Sequence, residues 1–162
     1  VNWLGFPGSM GSYNDVPLFD YILTDNFISP PDSKNHYAEA LLTLPNSYQP
    51  NDRKRPIDKI PSRSDCQLPD DAFVFCSFNQ TFKITSEVFE IWMRLLKAKP
   101  HSVLWLLECN QWAKANLTKE AEKRGVDNKR LIFAPRVAIA DHLARHAHAD
   151  LFLDTLPYNA HT

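Results

Sequence analysis

The chain has 162 residues, of which 44% are hydrophobic and 23% are charged, and its formal net charge is −1. This balance is typical of a globular protein with a buried core, and it gives no electrostatic reason to expect nucleic acid or an acidic membrane as a partner. The four glycines fit neither a GxGxxG dinucleotide motif nor a Walker A phosphate loop, which excludes both kinds of site.

Two further features concern the cellular setting. No apolar run is long enough for a transmembrane helix, so we expect no membrane association. The three cysteines, Cys66, Cys76 and Cys109, are odd in number and lack CxxC spacing. Since that usage is typical of reduced thiols, we expect a cytoplasmic protein.

The first third of the chain reads as loops and short strands. Glycines around Pro7 predict a shaped loop over residues 1–13. A strand is predicted at 19–24, and the turn Ser29-Pro30-Pro31-Asp32 can open a short helical segment before the apolar run 40–44. Prolines and a solvated basic triplet then mark a linker at 49–70, so we predict an N-terminal part at 1–48 and a second domain at 71–162.

From Phe73 onward, strand-like and helix-like segments alternate, which predicts an α/β domain with a parallel sheet. The predicted strands are 73–78, 103–107, 131–133 and 151–153, and the predicted helices are 86–97, 110–124 and 138–147. Asn110 is the expected N-cap of the second helix and Gly125 its stop. Spacing of 3.6 residues predicts one buried face on the first helix, formed by Val88, Ile91, Trp92, Leu95 and Leu96.

Polar residues follow each predicted strand. Because the carboxyl ends of parallel strands share one edge, we expect these residues to meet there. They are Asn79, Gln80 and Lys83, then Glu108 and Asn110, then Arg136 and Val137, then Asp154, Asn159, His161 and Thr162.

The third helix adds two more candidates to this edge. His142 and Arg145 share a helix face, in the first two turns of the predicted helix and near its positive end. Taken singly, Lys83 and Arg145 are typical of surface residues. Their convergence with a histidine and helix N-termini predicts a diphosphate cradle without glycines, and hence a site for a nucleotide-linked donor.

A metal site is the alternative reading of the histidines. His142 and His146 have the i, i+4 spacing of a ligand pair, and His148 is near. However, there is no HExxH motif, no cysteine pair and no third ligand at a helical spacing. We therefore expect no metal and no other cofactor.

Several longer segments, in consistent order over nearly the whole chain, closely resemble the protein O-GlcNAc transferases. The resemblance is strongest to the bacterial branch, often found behind tetratricopeptide repeats, and the plant SPINDLY proteins belong to the same superfamily. FNQ-x-x-K followed by LDT-x-x-x-N-x-HT is a specific combination. The segments are WLGFPGSMG, DYILTD, FCSFNQTFKI, SVLWLLE, RLIFAP and LFLDTLPYNAHT.

The resemblance implies a two-lobed GT-B fold, in which residues 1–48 end the N-terminal catalytic lobe and residues 71–162 form a Rossmann-like, nucleotide-sugar-binding part of the C-terminal lobe. It implies an inverting transfer of N-acetylglucosamine from UDP-GlcNAc to Ser or Thr of acceptor proteins, with no metal required. Lys83 would be the catalytic residue on the donor diphosphate. The other implied donor-binding residues are Gln80, Val137, His142, Arg145, His161 and Thr162.

Two departures leave alternatives open. Animal relatives carry Ala-Pro-Lys where this chain has Val137-Ala138-Ile139. A SPINDLY-like transferase that uses GDP-fucose, or a non-catalytic nucleotide-binding module, is therefore also compatible with the residues. The chain also stops within the LDT-x-x-x-N-x-HT region of the family. We therefore do not expect these 162 residues to catalyse transfer on their own.

Overall fold

A computed structural model of the chain describes residues 1–5 and 7–160. The chain divides into two compact units, Val1–Lys54 and Arg55–Thr162. The division falls inside the proline-rich segment 49–70, while the assignment of this segment as a linker between two lobes stays a prediction. The candidate site belongs to the second unit.

The first unit contains two small pairs of strands, one antiparallel and one parallel. The predicted strand and helical segment are confirmed within two residues, and a 3₁₀ helix spans Pro31–His36. Gly11 has a φ of +80° in the N-terminal loop, which a glycine adopts without strain. The strands are β1 (Ser12–Tyr13), β2 (Val16–Pro17), β3 (Tyr21–Asp25) and β4 (Ala40–Leu44).

A buried carboxylate closes the carboxyl end of β3. Burial of Asp25 raises the pKa of its carboxyl, but backbone N–H groups of Ile28, Tyr48 and Phe27 donate to it and bring the pKa below its usual value. Asp25 is therefore an anion that joins the turn after β3 to the segment after β4.

The second unit is built on a four-stranded parallel sheet with the order β7-β6-β5-β8. Each predicted strand is confirmed to within about a residue. The helices that connect the strands are also present, as the alternating sequence pattern predicts. The strands are β5 (Phe73–Ser77), β6 (Ser102–Leu107), β7 (Leu131–Ala134) and β8 (Leu151–Phe152), and the helices are α1 (Ser86–Ala98), α2 (Gln111–Lys123) and α3 (Ile139–Arg145).

Both faces of the central strands are covered, which explains why β5 and β6 are nearly uniformly apolar. On one face, Phe75 and Leu104 pack against Trp92 of α1. On the other face, Val74 and Trp105 pack with residues of the segment before β5, including Leu68. The two cores hold the central strands in place, and with them the carboxyl ends at which the polar residues lie.

The predicted buried face of α1 is partly wrong. Ile91 is 45% exposed, whereas Phe89 and Met93, which the prediction omitted, are buried. The buried stripe runs through Val88, Phe89, Trp92, Met93 and Leu96, and is rotated from the predicted one toward the side that faces the sheet. Periodicity alone located the helix but could not choose between two adjacent apolar stripes.

The helix ends agree with the sequence signals more closely. The Asn110 side chain accepts a hydrogen bond from the Ala113 N–H at 2.8 Å, as an N-cap does. Gly125, at a φ of +70°, follows the end of α2. The third helix is shorter than predicted because a 3₁₀ turn, His146–His148, replaces its last residues.

Candidate functional site

The carboxyl ends of β5, β6 and β7 meet through polar side chains, as the sequence predicts for a parallel sheet. Gln80 follows β5 and is exposed. Its Oε1 lies 3.3 Å from a guanidinium nitrogen of Arg136, which follows β7, and 3.7 Å from the thiol of Cys109, which follows β6. Because both neighbours donate to Oε1, the amide N–H₂ of Gln80 is directed away from them.

Lys83 lies after β5 as predicted, in a 3₁₀ turn that spans Thr81–Lys83. Its side chain is half-buried, and Nζ donates to the backbone carbonyl of Asn159 at 2.8 Å. No ion pair between Lys83 and a carboxylate occurs within residues 1–5 and 7–160. The ammonium group is therefore held in place while its charge is not neutralised.

His142 is a neutral ring. Burial, together with the charges of Arg145 and His146, lowers the pKa of His142 to about 4. Its Nδ1 lies 2.6 Å from a guanidinium nitrogen of Arg145, so Nδ1 accepts a hydrogen bond and the ring proton is on Nε2. His142 adds a hydrogen-bond donor to the site and no positive charge at neutral pH.

Arg145 is 4% exposed, so its interpretation as an ordinary surface cation is wrong. Its guanidinium donates to the Pro135 carbonyl at 2.7 Å and lies 4.7 Å from the ring centroid of Phe78. It is also the last residue of α3, so it lies at the carboxyl end of that helix and not near its positive end. Arg145 therefore holds the turn after β7 in place through its buried hydrogen bond to Pro135.

Two cavities adjoin Arg145. The first, here called the edge cavity, measures about 310 Å³ and the second about 220 Å³. Val137, which is 44% exposed, lines both cavities. The second cavity is bounded by the segment around Lys59 and Cys66. The edge cavity is lined by Leu107, Arg136, Val137, Ile139, His142 and Arg145.

Arg136 is one of the predicted edge residues to which the family resemblance assigns no role. It was predicted at the sheet edge, but the structure also makes it a wall of the edge cavity and a partner of Gln80. A cation directly after a buried strand was the available signal. Its link to Gln80 could not be read from the sequence, because 56 positions separate the two residues.

The other two histidines near α3 contact backbone carbonyls. His146 Nδ1 donates to the His142 carbonyl at 2.6 Å, and His148 Nε2 donates to the Pro61 carbonyl at 2.7 Å. Within the described ranges, no group of three or more His, Cys, Asp or Glu could hold a metal ion. The prediction that no metal or cofactor takes part stays a prediction. His161 and Thr162, named as donor-binding residues, lie outside the described residues.

Comparison with known sequences identifies relatives of this chain. The profile of glycosyl transferase family 41 matches residues 49–162. An Arabidopsis thaliana relative, named probable UDP-N-acetylglucosamine–peptide N-acetylglucosaminyltransferase SEC, is 36% identical over 168 residues, which is 100% of this chain and 17% of that relative. A Caenorhabditis elegans UDP-N-acetylglucosamine–peptide N-acetylglucosaminyltransferase is 40% identical over 103 residues, which is 64% of this chain and 9% of its own length.

A solved structure shares the fold. It is a mutant of the O-GlcNAc transferase of Thermobaculum terrenum, and it matches with a TM-score of 0.81 and 30% identity over 98% of this chain and 29% of its own. That protein is a GT-B glycosyltransferase, so the predicted fold class is confirmed for the part that this chain covers. The chain thus spans about a sixth of its plant relative and under a third of its structural neighbour. The resemblance seen in the motifs is confirmed, and the chain belongs to glycosyl transferase family 41.

Proposed function

We propose that this chain forms the donor-binding part of a protein O-GlcNAc transferase, which moves N-acetylglucosamine from UDP-GlcNAc to Ser or Thr with inversion. The observation that carries the proposal is a lysine without a carboxylate partner in the described residues, at the carboxyl edge of a parallel sheet. Residues at the ends of the neighbouring strands β6 and β7 line a cavity that suits a nucleoside. The names of the relatives, which specify UDP-N-acetylglucosamine and a peptide, support the same donor and acceptor.

The edge cavity fits the base and ribose of the donor. Leu107, Val137 and Ile139 supply apolar walls, and ligand pockets are mostly apolar with a few placed polar groups. Its volume of about 310 Å³ lies at the lower end of the range for small-molecule sites. Nε2–H of His142 is one such placed polar group.

Lys83 is suited to the diphosphate. Departure of UDP develops negative charge on the phosphate oxygens, and a preorganised cation there lowers the barrier. Lys83 meets that requirement, since it is held by a neutral carbonyl and its charge is available. The Gln80 amide, with its N–H₂ free of the two donors at Oε1, can donate to the same phosphates.

The remaining elements of the proposal concern partners and setting. We propose acceptor proteins or peptides as the second substrate, no nucleic-acid partner, and a cytoplasmic location. We also propose that transfer needs no metal, because Lys83, Gln80 and Arg136 supply the positive charge and hydrogen-bond donors. None of the helices in the described ranges is long and apolar enough to cross a bilayer.

The test is a calorimetric titration of UDP and of GDP into the full-length protein that contains this chain. We expect UDP to bind and Lys83→Ala to weaken that binding by roughly tenfold or more, as the loss of a charge-assisted contact does. Lys97→Ala is the matched control. Lys97 is an exposed lysine in the last turn of α1, at the opposite end of that helix from Lys83.

Each other outcome has a defined meaning. Preference for GDP would replace the proposal with a SPINDLY-like transfer of fucose from GDP-fucose, because nothing at Val137–Ile139 reads uracil through a charged side chain. Binding of neither nucleotide by a folded protein would leave a non-catalytic module. If UDP binds, incubation with UDP-GlcNAc and a Ser/Thr peptide then tests transfer.

A further inference from the structure

The LDT segment that follows β8 forms a hydrogen-bond hub to which the proposed function gives no role. Asp154 Oδ1 accepts from the Thr155 N–H at 2.8 Å and from the Ala160 N–H at 2.6 Å. The same oxygen lies 3.2 Å from Asn79 Nδ2, and Oδ2 lies 3.2 Å from Asn159 Nδ2. One carboxylate therefore binds both ends of the loop 154–160 and Asn79, two residues after the end of β5.

The neighbouring threonine closes the hub. Thr155 is fully buried, its Oγ1 accepts from Asn79 Nδ2 at 2.9 Å, and it donates to the Tyr158 carbonyl at 2.6 Å. Asn79 is itself 8% exposed, so its amide is fixed between two acceptors. The end of β5 and the loop after β8 are thus joined by buried hydrogen bonds, which are stronger than exposed ones.

Lys83 depends on both sides of this junction. Its turn begins directly after Asn79 and Gln80, and its Nζ partner is the carbonyl of Asn159, inside the loop that Asp154 closes. A lysine side chain has four rotatable bonds and loses considerable entropy when it is held. Fixing both its backbone and its partner carbonyl reduces the freedom that substrate binding would otherwise have to remove.

We propose that Asp154 is a positioning residue for Lys83, and this proposal rests on the proposed function. Asp154 accepts hydrogen bonds from the Asn159 side-chain amide and from the Ala160 N–H, which belongs to the same peptide group as the Asn159 carbonyl that holds the ammonium group. Asp154 makes no ion pair with Lys83 in the described part of the chain. This arrangement orients the lysine without neutralising the charge that the diphosphate requires. Asp154 touches neither the donor nor the reacting atoms in this scheme.

The ionisation of Asp154 is consistent with that role. Its partial burial raises the pKa of the carboxyl, but the N–H groups of Ala160 and Thr155 and the amides of Asn79 and Asn159 outweigh burial and lower the pKa. Asp154 is therefore an anion at neutral pH and can accept all of these hydrogen bonds.

The first experiment measures Lys83 directly and needs no nucleotide. The full-length protein is labelled with limiting acetic anhydride, and mass spectrometry gives the labelling of Lys83 relative to exposed Lys97. We expect Asp154→Ala to raise this ratio roughly fivefold. Without the carboxylate the Asn159 carbonyl is no longer held, and the Lys83 amine loses its hydrogen bond to it. Asp154→Asn keeps one acceptor oxygen and should give an intermediate ratio.

The matched control is Asp150→Asn. The Asp150 carboxylate also accepts a backbone N–H, from Val74 at 2.8 Å, but this contact lies at the amino end of the same pair of strands. It should destabilise the protein without changing the Lys83 ratio. An unchanged ratio in Asp154→Asn, even if that variant melts earlier, would overturn the proposal and leave Asp154 with a structural role alone.

The second experiment is a double-mutant cycle on UDP affinity. If Asp154 acts through Lys83, Asp154→Asn should weaken UDP binding several-fold in the wild type and have no effect in Lys83→Ala. Uridine, which lacks the phosphates, should bind all four proteins equally. Additive losses, or equal losses for uridine and UDP, would contradict the positioning role. Failure of the wild type to bind any nucleotide would refute the proposed function alone, since the labelling experiment still decides the role of Asp154.

Discussion

The two halves of the sheet edge differ in whether their basic residue is available to a ligand. In the half formed by β5 and β8, Lys83 is held by a neutral backbone carbonyl and keeps its charge available. In the half formed by β7 and α3, Arg145 is buried, its two terminal guanidinium nitrogens donate to the Pro135 carbonyl and to His142 Nδ1, and His142 is neutral. Two basic residues that look alike in sequence therefore have different uses.

This difference indicates how one edge can bind a ligand with two chemically distinct ends. A diphosphate needs free charge and donors, which the β5–β8 half supplies. A base needs a shaped, largely apolar wall, which Arg145 builds by fixing the turn after β7 and the orientation of the His142 ring. Substitution of the charged residues in each half tests whether the two halves differ in this way.

The largest effect is expected for Lys83 in transfer. Lys83→Ala should lower the rate of GlcNAc transfer by about 10²–10³-fold, because a preorganised cation at the leaving group is lost. Its thermal unfolding should change little, since within the described residues the Lys83 side chain makes one hydrogen bond, to the Asn159 carbonyl. Rates close to wild type would mean that the charge of this half is not used in catalysis.

The next largest effect is expected for Arg145, on stability. Arg145→Met should lower the free energy of unfolding by about 3 kcal/mol, because the Pro135 carbonyl and His142 Nδ1 lose their donor in a buried region. Urea unfolding measures the change, and Arg94→Met, at an exposed position of α1, is the control. A stable Arg145→Met protein that has lost only UDP affinity would show that Arg145 acts on the ligand as Lys83 does.

The third prediction concerns the pH dependence of His142. With a folded pKa of about 4 and an unfolded value near 6.5, the unfolded state binds the proton first as pH falls. Stability should therefore decrease from about pH 6.5 down to about pH 4, with a loss of about 2 kcal/mol between pH 7 and pH 5.

Urea unfolding at the two pH values measures this loss. His142→Phe should remove most of the dependence, whereas His101→Gln, at an exposed position of the same unit, should leave it unchanged. If His142 were charged in the folded protein, the variant would show the same pH dependence as the wild type.

Sequence reasoning was accurate for the elements and their shared edge because both follow from periodic burial. The strand ends collected Gln80, Lys83 and Arg136 as predicted, since a parallel sheet admits a single direction for its strands. The sequence pattern could not predict which side chains and backbone groups surround each cation. The guanidinium of Arg145 packs over the rings of Phe78 and Trp105, and these contacts come from distant positions in the chain.

The same limit explains the errors at α1 and α3. Ile91 and Phe89 are equally apolar, and only the position of the sheet decides which one is buried. The end of α3 depends on the 3₁₀ turn in which His148 reaches the Pro61 carbonyl, 87 positions away. Local patterns therefore predict where elements and edges lie, while long-range contacts decide what a charged residue does.

The smallest effect is expected for Arg136, which links the two halves of the edge through Gln80. Arg136→Ala should weaken UDP binding roughly three- to fivefold, because the Gln80 amide loses one of the donors that orient it and the edge cavity loses a cation. Arg136→Gln can donate to Gln80 without charge and should recover part of the loss, so calorimetry on both variants separates orientation from electrostatics. An equal loss in both would assign the effect to charge, and Arg136 would then belong with Lys83 rather than with Arg145.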